Sequence, residues 1–119
     1  MNWKAIRLEL GRTKDFPNGS ASRAYHLRLP LLEDGAIDEG ALDKSPEKAT
    51  VRRLWPSEPD LSGRLVREGE RWVFLAGRNG FHQVVAEIDP GPIREGSMLT
   101  FRERGQDLPF RVAQLRALA

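Results

Sequence analysis

The sequence predicts a mainly β domain, a small barrel or roll of about seven or eight short strands with one short helix. Hydrophobic residues recur with a period of two along most of the chain, the signature of half-buried strands. Clusters of Gly, Pro, Asn and Asp interrupt those runs at close spacing. Only one stretch, 38–44, reads as helix. At 119 residues the chain is sized for a single domain, 1–119, with a radius of gyration of about 14 Å.

Each element follows from local pattern. Ile6, Leu8 and Leu10 alternate with Arg7 and Glu9 in a first strand. Residues 11–23 contain Pro17-Asn18-Gly19 and predict a long loop. Tyr25, Leu27, Leu29 and Leu31 alternate with His26 and Arg28 in a second strand. Pro30 should end that strand or confine it to an edge, because proline has no N–H for the ladder. Asp34-Gly35 marks a turn. Asp38 to Lys44 predicts the short helix, with Ile37, Ala41 and Leu42 inward, although Gly40 weakens it. Ser45-Pro46-Glu47 resembles a helix start but has room only for a turn.

Val51 to Trp55 predicts a third strand, and 56–63, with Pro56, Pro59 and Gly63, a loop. Arg64 to Arg67 and Arg71 to Ala76 flank Glu68-Gly69-Glu70 in a hairpin. Trp72-Val73-Phe74-Leu75 is apolar on both faces, which predicts a central strand covered on both sides. Asn79-Gly80 is the strongest hairpin signal and leads into Phe81 to Ile88. Asp89-Pro90-Gly91-Pro92 stops that strand. Met98 to Arg104 and Leu108 to Leu115 form a last hairpin around Gly105-Gln106-Asp107. Trp72, Phe74, Val85, Phe101 and Val112 are the expected core.

The spacing of Ile93, Gly96, Met98, Leu99, Phe101, Gly105, Phe110 and Val112 resembles the closing hairpin of many small β-barrels. The whole chain resembles small uncharacterised proteins of alphaproteobacteria, a resemblance that implies no activity.

Composition narrows the function classes. With no cysteine, disulfides, thiolate metal sites and cysteine nucleophiles are excluded. The opening Met1-Asn2-Trp3-Lys4-Ala5-Ile6-Arg7 has no apolar core of a signal peptide, and no apolar run approaches a membrane span, so a cytoplasmic protein without membrane contact is expected. The net charge is only +2, too small to announce a polyanion binder. Its distribution is uneven: residues 1–30 carry +4 and residues 31–50 carry −4. The basic amino-terminal segment and the acidic arm are expected to face one another.

Chemical motifs are sparse. His26 and His82 are far apart and lack neighbouring ligands, so no metal or cofactor is expected. The acids Asp34, Asp38, Glu39 and Asp43 fit no calcium-loop register around Gly35 or Gly40. There is no Gly-x-Ser-x-Gly elbow, and Ser20, Ser22 and His26 merely follow one another along the chain. Gly77-Arg78-Asn79-Gly80 spells a Gly-x-x-Gly clamp but sits between strands, as a hairpin tip would. Arg53-Leu54-Trp55-Pro56-Ser57-Glu58-Pro59 matches a proline-rich ligand only by chance.

These observations support a non-catalytic module that binds a protein or small ligand. A weak nucleic-acid binder using Arg and aromatic residues is the alternative, ahead of a small enzyme with dispersed carboxylates. The binding residues are expected in the loop 11–23: Arg12, Lys14 and Arg23 as cations, Ser20 and Ser22 as donors and Phe16 as an apolar anchor. The expected partner is an anionic small molecule or an acidic protein surface.

Overall fold

The computed structural model describes residues 2–78 and 81–118. Eight antiparallel strands follow one another around a closed barrel, each paired with its neighbour in the chain, and the last pairs with the first. They are β1 (Trp3–Leu10), β2 (Ser20–Pro30), β3 (Thr50–Leu54), β4 (Leu61–Glu68), β5 (Arg71–Arg78), β6 (Phe81–Asp89), β7 (Met98–Glu103) and β8 (Gln106–Ala117). The predicted barrel is therefore the observed one. The Cα radius of gyration is 13.7 Å. No helix among the described residues is long and apolar enough to cross a membrane.

Alternation sets the two faces. Ile6, Leu8, Leu10, Tyr25, Leu27, Leu29, Val51, Leu65, Phe74, Leu99, Phe101, Phe110 and Val112 pack inside. An eight-stranded barrel is just wide enough for such side chains to fill. The aromatic centre is dense: Tyr25 lies 4.3 Å from Phe101 and 5.1 Å from Phe110, centroid to centroid.

Loops close both ends. At one end the β2–β3 connection folds across the opening. It carries the helix α1 (Glu39–Lys44), capped by the Asp38 carboxylate accepting from Ala41 N–H at 3.1 Å, and a 3-10 turn at Pro46–Lys48. Leu31, Leu42 and Ala49 are buried there, and Ile93 N–H donates to the Gly35 carbonyl at 2.9 Å. At the other end lie the β1–β2, β3–β4 and β7–β8 connections. The acidic arm and the loop after β1 thus sit at opposite ends, whereas the start of the basic segment does meet the arm, with Asn2 Nδ2 donating to Asp38 Oδ2 at 2.8 Å and Lys4 lining one depression with Glu33. The single strand β2 separates the two connections, and between antiparallel neighbours each strand carries the chain from one end of the barrel to the other.

Several boundaries differ from the sequence reading. The loop after β1 is nine residues, 11–19, because the ladder resumes at Ser20 rather than after Arg23. It resumes irregularly: Glu9 pairs with Ala24 but Leu10 with Ser20. β2 ends at Pro30, as proline requires. β4 starts at Leu61 and runs through Gly63, predicted as loop. A Cβ on Gly63 would lie 1.8 Å from the Leu75 carbonyl oxygen, so glycine is what lets β4 and β5 approach here. The final turn is Arg104-Gly105, both with positive φ, the two-residue type I′ geometry, so Gln106 and Asp107 belong to β8. β5 and β6 pair through Arg78 and Phe81, while the predicted Asn79-Gly80 turn lies outside the described residues.

Of the expected core, Phe74, Phe101 and Val112 are fully buried, whereas Trp72 and Val85 are only half-buried. Trp72 faces inward near a barrel end, with the Arg67 guanidinium 5.6 Å from its ring. Val85 is the extra residue of a bulge, since Phe74 pairs with Ala86 and Leu75 with Val84. Among the described residues β5 packs against its sheet neighbours β4 and β6 and no second layer covers it. Val73 is buried on the outer side between its register partners Val66 and Glu87, and Leu75 beside it is half-exposed.

Candidate binding surfaces

Three strands, β2, β3 and β7, bring a polar cluster into the apolar interior. Alternation puts Tyr25 with Leu27, Arg53 with Val51, and Glu103 with Phe101 on inward faces. Arg53 and Glu103 are 4% and 5% exposed. The Tyr25 hydroxyl donates to Glu103 Oε2 at 2.7 Å, and Arg53 Nε donates to Oε1 at 3.0 Å. Each carboxylate oxygen therefore has its own donor, as a buried charge requires. Burial, and then the neighbouring carboxylate, push the Tyr25 phenol far above its ordinary pKa, so it remains protonated. No buried side-chain polar atom among the described residues lacks a partner. The cluster braces the barrel end, and Arg53 Nη1 also reaches the half-exposed Glu58 at 3.5 Å.

Above it sits a stack of rings and guanidiniums. Arg53 lies 3.9 Å from the Trp55 ring centroid, and Arg23 lies 4.1 Å from Phe16 and 5.9 Å from Trp55. The loop is folded by its own bonds: Phe16 N–H donates to Thr13 Oγ1 at 3.0 Å, and Gly19 N–H to the Phe16 carbonyl at 2.9 Å.

Five of the six residues singled out in the sequence divide between two depressions, and Ser22 lines neither. Lys14, Phe16 and Arg23 line one of about 570 Å³ together with Trp55 and Leu108. Arg12 and Ser20 line another of about 520 Å³ beside Met98 and Pro109. Ser20 joins the groups, accepting from Arg23 Nη1 at 3.3 Å and lying 3.2 Å from Ser22 Oγ.

A different surface carries more charge. The outward faces of β8, β1, β2, β3 and β4 form a depression of about 540 Å³ lined by Arg7, Arg28, Arg52 and Arg116 around His26, with Thr50, Ser62 and Gln114 between them. Pairing register makes it a lattice. One row runs Gln114, Arg7, His26, Arg52, Ser62 across the five strands. In the next row Ala5 lies opposite both Arg116 and Arg28, and Thr50 opposite Arg64. Arg7 bonds Glu9 at 2.9 Å and Arg52 bonds Asp60 at 2.7 Å. Arg28, Arg64 and Arg116 join no ion pair among the described residues.

His26 sits at the centre of that row. Arg7 Nη1 donates to its Nε2 at 2.6 Å, so the ring accepts there and is neutral. Partial burial, then Arg7 and Arg52, hold its pKa below the usual 6.5. No group of three or more His, Asp or Glu side chains that could hold a metal is found among the described residues.

Sequence reasoning missed both the buried cluster and the basic wall. A signal for the first was present: Arg53 and Glu103 each fall on the apolar phase of a strand, and two such opposite charges have to meet. For the second, the signal was one outward arginine on each of five strands. Comparison with protein-family models, with curated proteins and with solved structures finds no match.

Proposed function

We propose that this chain is a non-catalytic binding module for an anionic partner, received on the outer wall of β8, β1, β2, β3 and β4. The observation that carries this reading is the depression lined by Arg7, Arg28, Arg52 and Arg116. A concave surface with one sign of charge focuses its field and concentrates counter-charged ligands. Guanidiniums suit the role because their planar forks match carboxylate and phosphate oxygens. The buried carboxylate Glu103 already has both oxygens engaged, which speaks for bracing rather than chemistry.

A second reading places the anion at the barrel mouth, on Arg12, Lys14, Phe16, Ser20, Ser22 and Arg23. It is favoured by Lys14 and Arg23 lining one depression with the rings of Phe16 and Trp55. Titrating inorganic tripolyphosphate into isotope-labelled protein separates the two. The wall reading expects the signals of Arg7, His26, Arg28, Arg52 and Arg116 to move first. Earlier movement at residues 11–23 selects the mouth, and no movement at either surface removes the anionic partner altogether.

A further inference from the structure

The wall arginines form an ordered array. Arg116, Arg7, Arg28, Arg52 and Arg64 come one each from β8, β1, β2, β3 and β4, and alternate between the two adjacent rows of the lattice. Successive members are diagonal neighbours, about 7–8 Å apart at Cα. The whole zigzag crosses four interstrand steps, about 19 Å. A single phosphate group engages one or two guanidiniums at a time. Five spread over this length suit an anion that is itself a chain of regularly spaced charges.

We propose that this zigzag is a docking track for the phosphodiester backbone of a nucleic acid, bound without reading the bases. The proposal rests on the anion-binding reading of the same wall and names its ligand. Thr50, Ser62 and Gln114 stand between the arginines and supply neutral donors of the kind that position a phosphate backbone. The depression has no Phe, Tyr or Trp in its lining, and its one imidazole, His26, is tied to Arg7, so bases find no large aromatic platform there. The aromatic side chains Phe16 and Trp55 lie instead at the barrel mouth, in contact with Arg23 and Arg53. Affinity on such a track comes from counterion release and depends on salt, not on base sequence.

The number of arginines sets the salt dependence. For a single strand, the slope of log K against log salt is about −0.7 per phosphate neutralised. Three arginines without acidic partners give about −2, and all five give about −3.5. The test is fluorescence anisotropy of two labelled single-stranded oligonucleotides of about 20 nucleotides and unrelated sequence, from about 50 to 200 mM salt. The proposal expects both to bind within a few-fold of one another, with a slope in that range. The double variant Arg28→Ala/Arg116→Ala should bind several-fold more weakly and lose about 1.4 from the slope. Both side chains are exposed and bond nothing among the described residues, so its melting temperature should match wild type. Arg12→Ala/Lys14→Ala, at the barrel mouth, should bind as wild type does.

Five results would overturn the proposal. An affinity unchanged in the wall variant, or lost in the mouth variant, puts the contact elsewhere. A tenfold preference for one oligonucleotide means that bases are read. Inorganic polyphosphate of equal charge that displaces the oligonucleotide at a tenth of its phosphate concentration reassigns the ligand to that polymer. No oligonucleotide binding while tripolyphosphate still moves the wall signals keeps the anion-binding module and removes the nucleic acid.

Discussion

Alkali should destabilise this barrel through one side chain. Tyr25 is the only tyrosine of the chain, is fully buried, and donates its hydroxyl proton to Glu103 at 2.7 Å. Burial and the adjacent carboxylate raise its pKa well above 10.0. In the unfolded chain the phenol ionises near about pH 10. Above that pH the unfolded state has lost a proton that the native state keeps. The contribution of Tyr25 to stability is therefore fully present below about pH 10 and falls above it by about 1.4 kcal/mol per pH unit. By about pH 11.5 the loss amounts to about 2 kcal/mol. Urea denaturation at a series of pH values measures it, with Tyr25→Phe as the reference. That variant should be about 1–3 kcal/mol less stable at neutral pH, because Glu103 stays buried with one donor fewer. It has no phenolic proton to lose, so the gap to wild type should narrow above about pH 10. Absorbance at 295 nm reads the same group directly. Native protein should show no phenolate at about pH 11, while urea-unfolded protein titrates near 10. A native protein whose phenolate appears with a midpoint near 10 refutes the buried hydroxyl, and identical alkaline slopes for the two proteins refute the linkage.

Three further perturbations probe other parts of the structure. Glu103→Gln leaves the Arg53 guanidinium inside with only Glu58, at 3.5 Å, as an anionic partner, and should cost about 3–5 kcal/mol in chemical denaturation; a loss below about 1 kcal/mol would mean the pair is solvated. Gly63→Ala forces a Cβ against the Leu75 carbonyl and should lower stability by at least about 1–3 kcal/mol, whereas an unchanged melting temperature would exclude the close approach of β4 and β5. The His26 ring should titrate below 6.5 by NMR, so the unfolded chain takes up the proton first and stability falls as pH drops below about 6.5. A midpoint at or above 6.5 would mean that neither burial nor Arg7 and Arg52 act on it.

Much of the architecture was legible because strand patterning is local. Ile6, Leu8 and Leu10 announce an inward face by alternation alone, and Pro30 announces an end by its missing N–H. Asp38 to Lys44 read as helix because Ile37, Ala41 and Leu42 fall on one side, and the observed helix starts directly after Asp38, whose carboxylate caps it. The errors cluster where backbone irregularity enters. Period-two reasoning assumes that every residue takes its turn, so it could not foresee that Val85 is an extra residue in a bulge or that three residues slip between Ser20 and Ala24. Gly63 was read as loop because glycine is usually punctuation, while here it serves a tight strand crossing.

By itself, the sequence determined which residues alternate, where the chain must turn, and that a single domain without cysteine has to fold on its apolar core. Only the tertiary structure decided what those residues meet. Closure of β8 onto β1 makes Arg116 a neighbour of the first strand, 111 positions away from its register partner Ala5. The same closure draws Tyr25, Arg53 and Glu103 into one cluster, and sends the acidic arm and the loop after β1 to opposite ends. Pattern along a strand records which way a side chain points, whereas register between strands depends on bulges, turn geometry and the count of strands at closure. A wall that gathers one arginine from each of five strands exists only after that register is set.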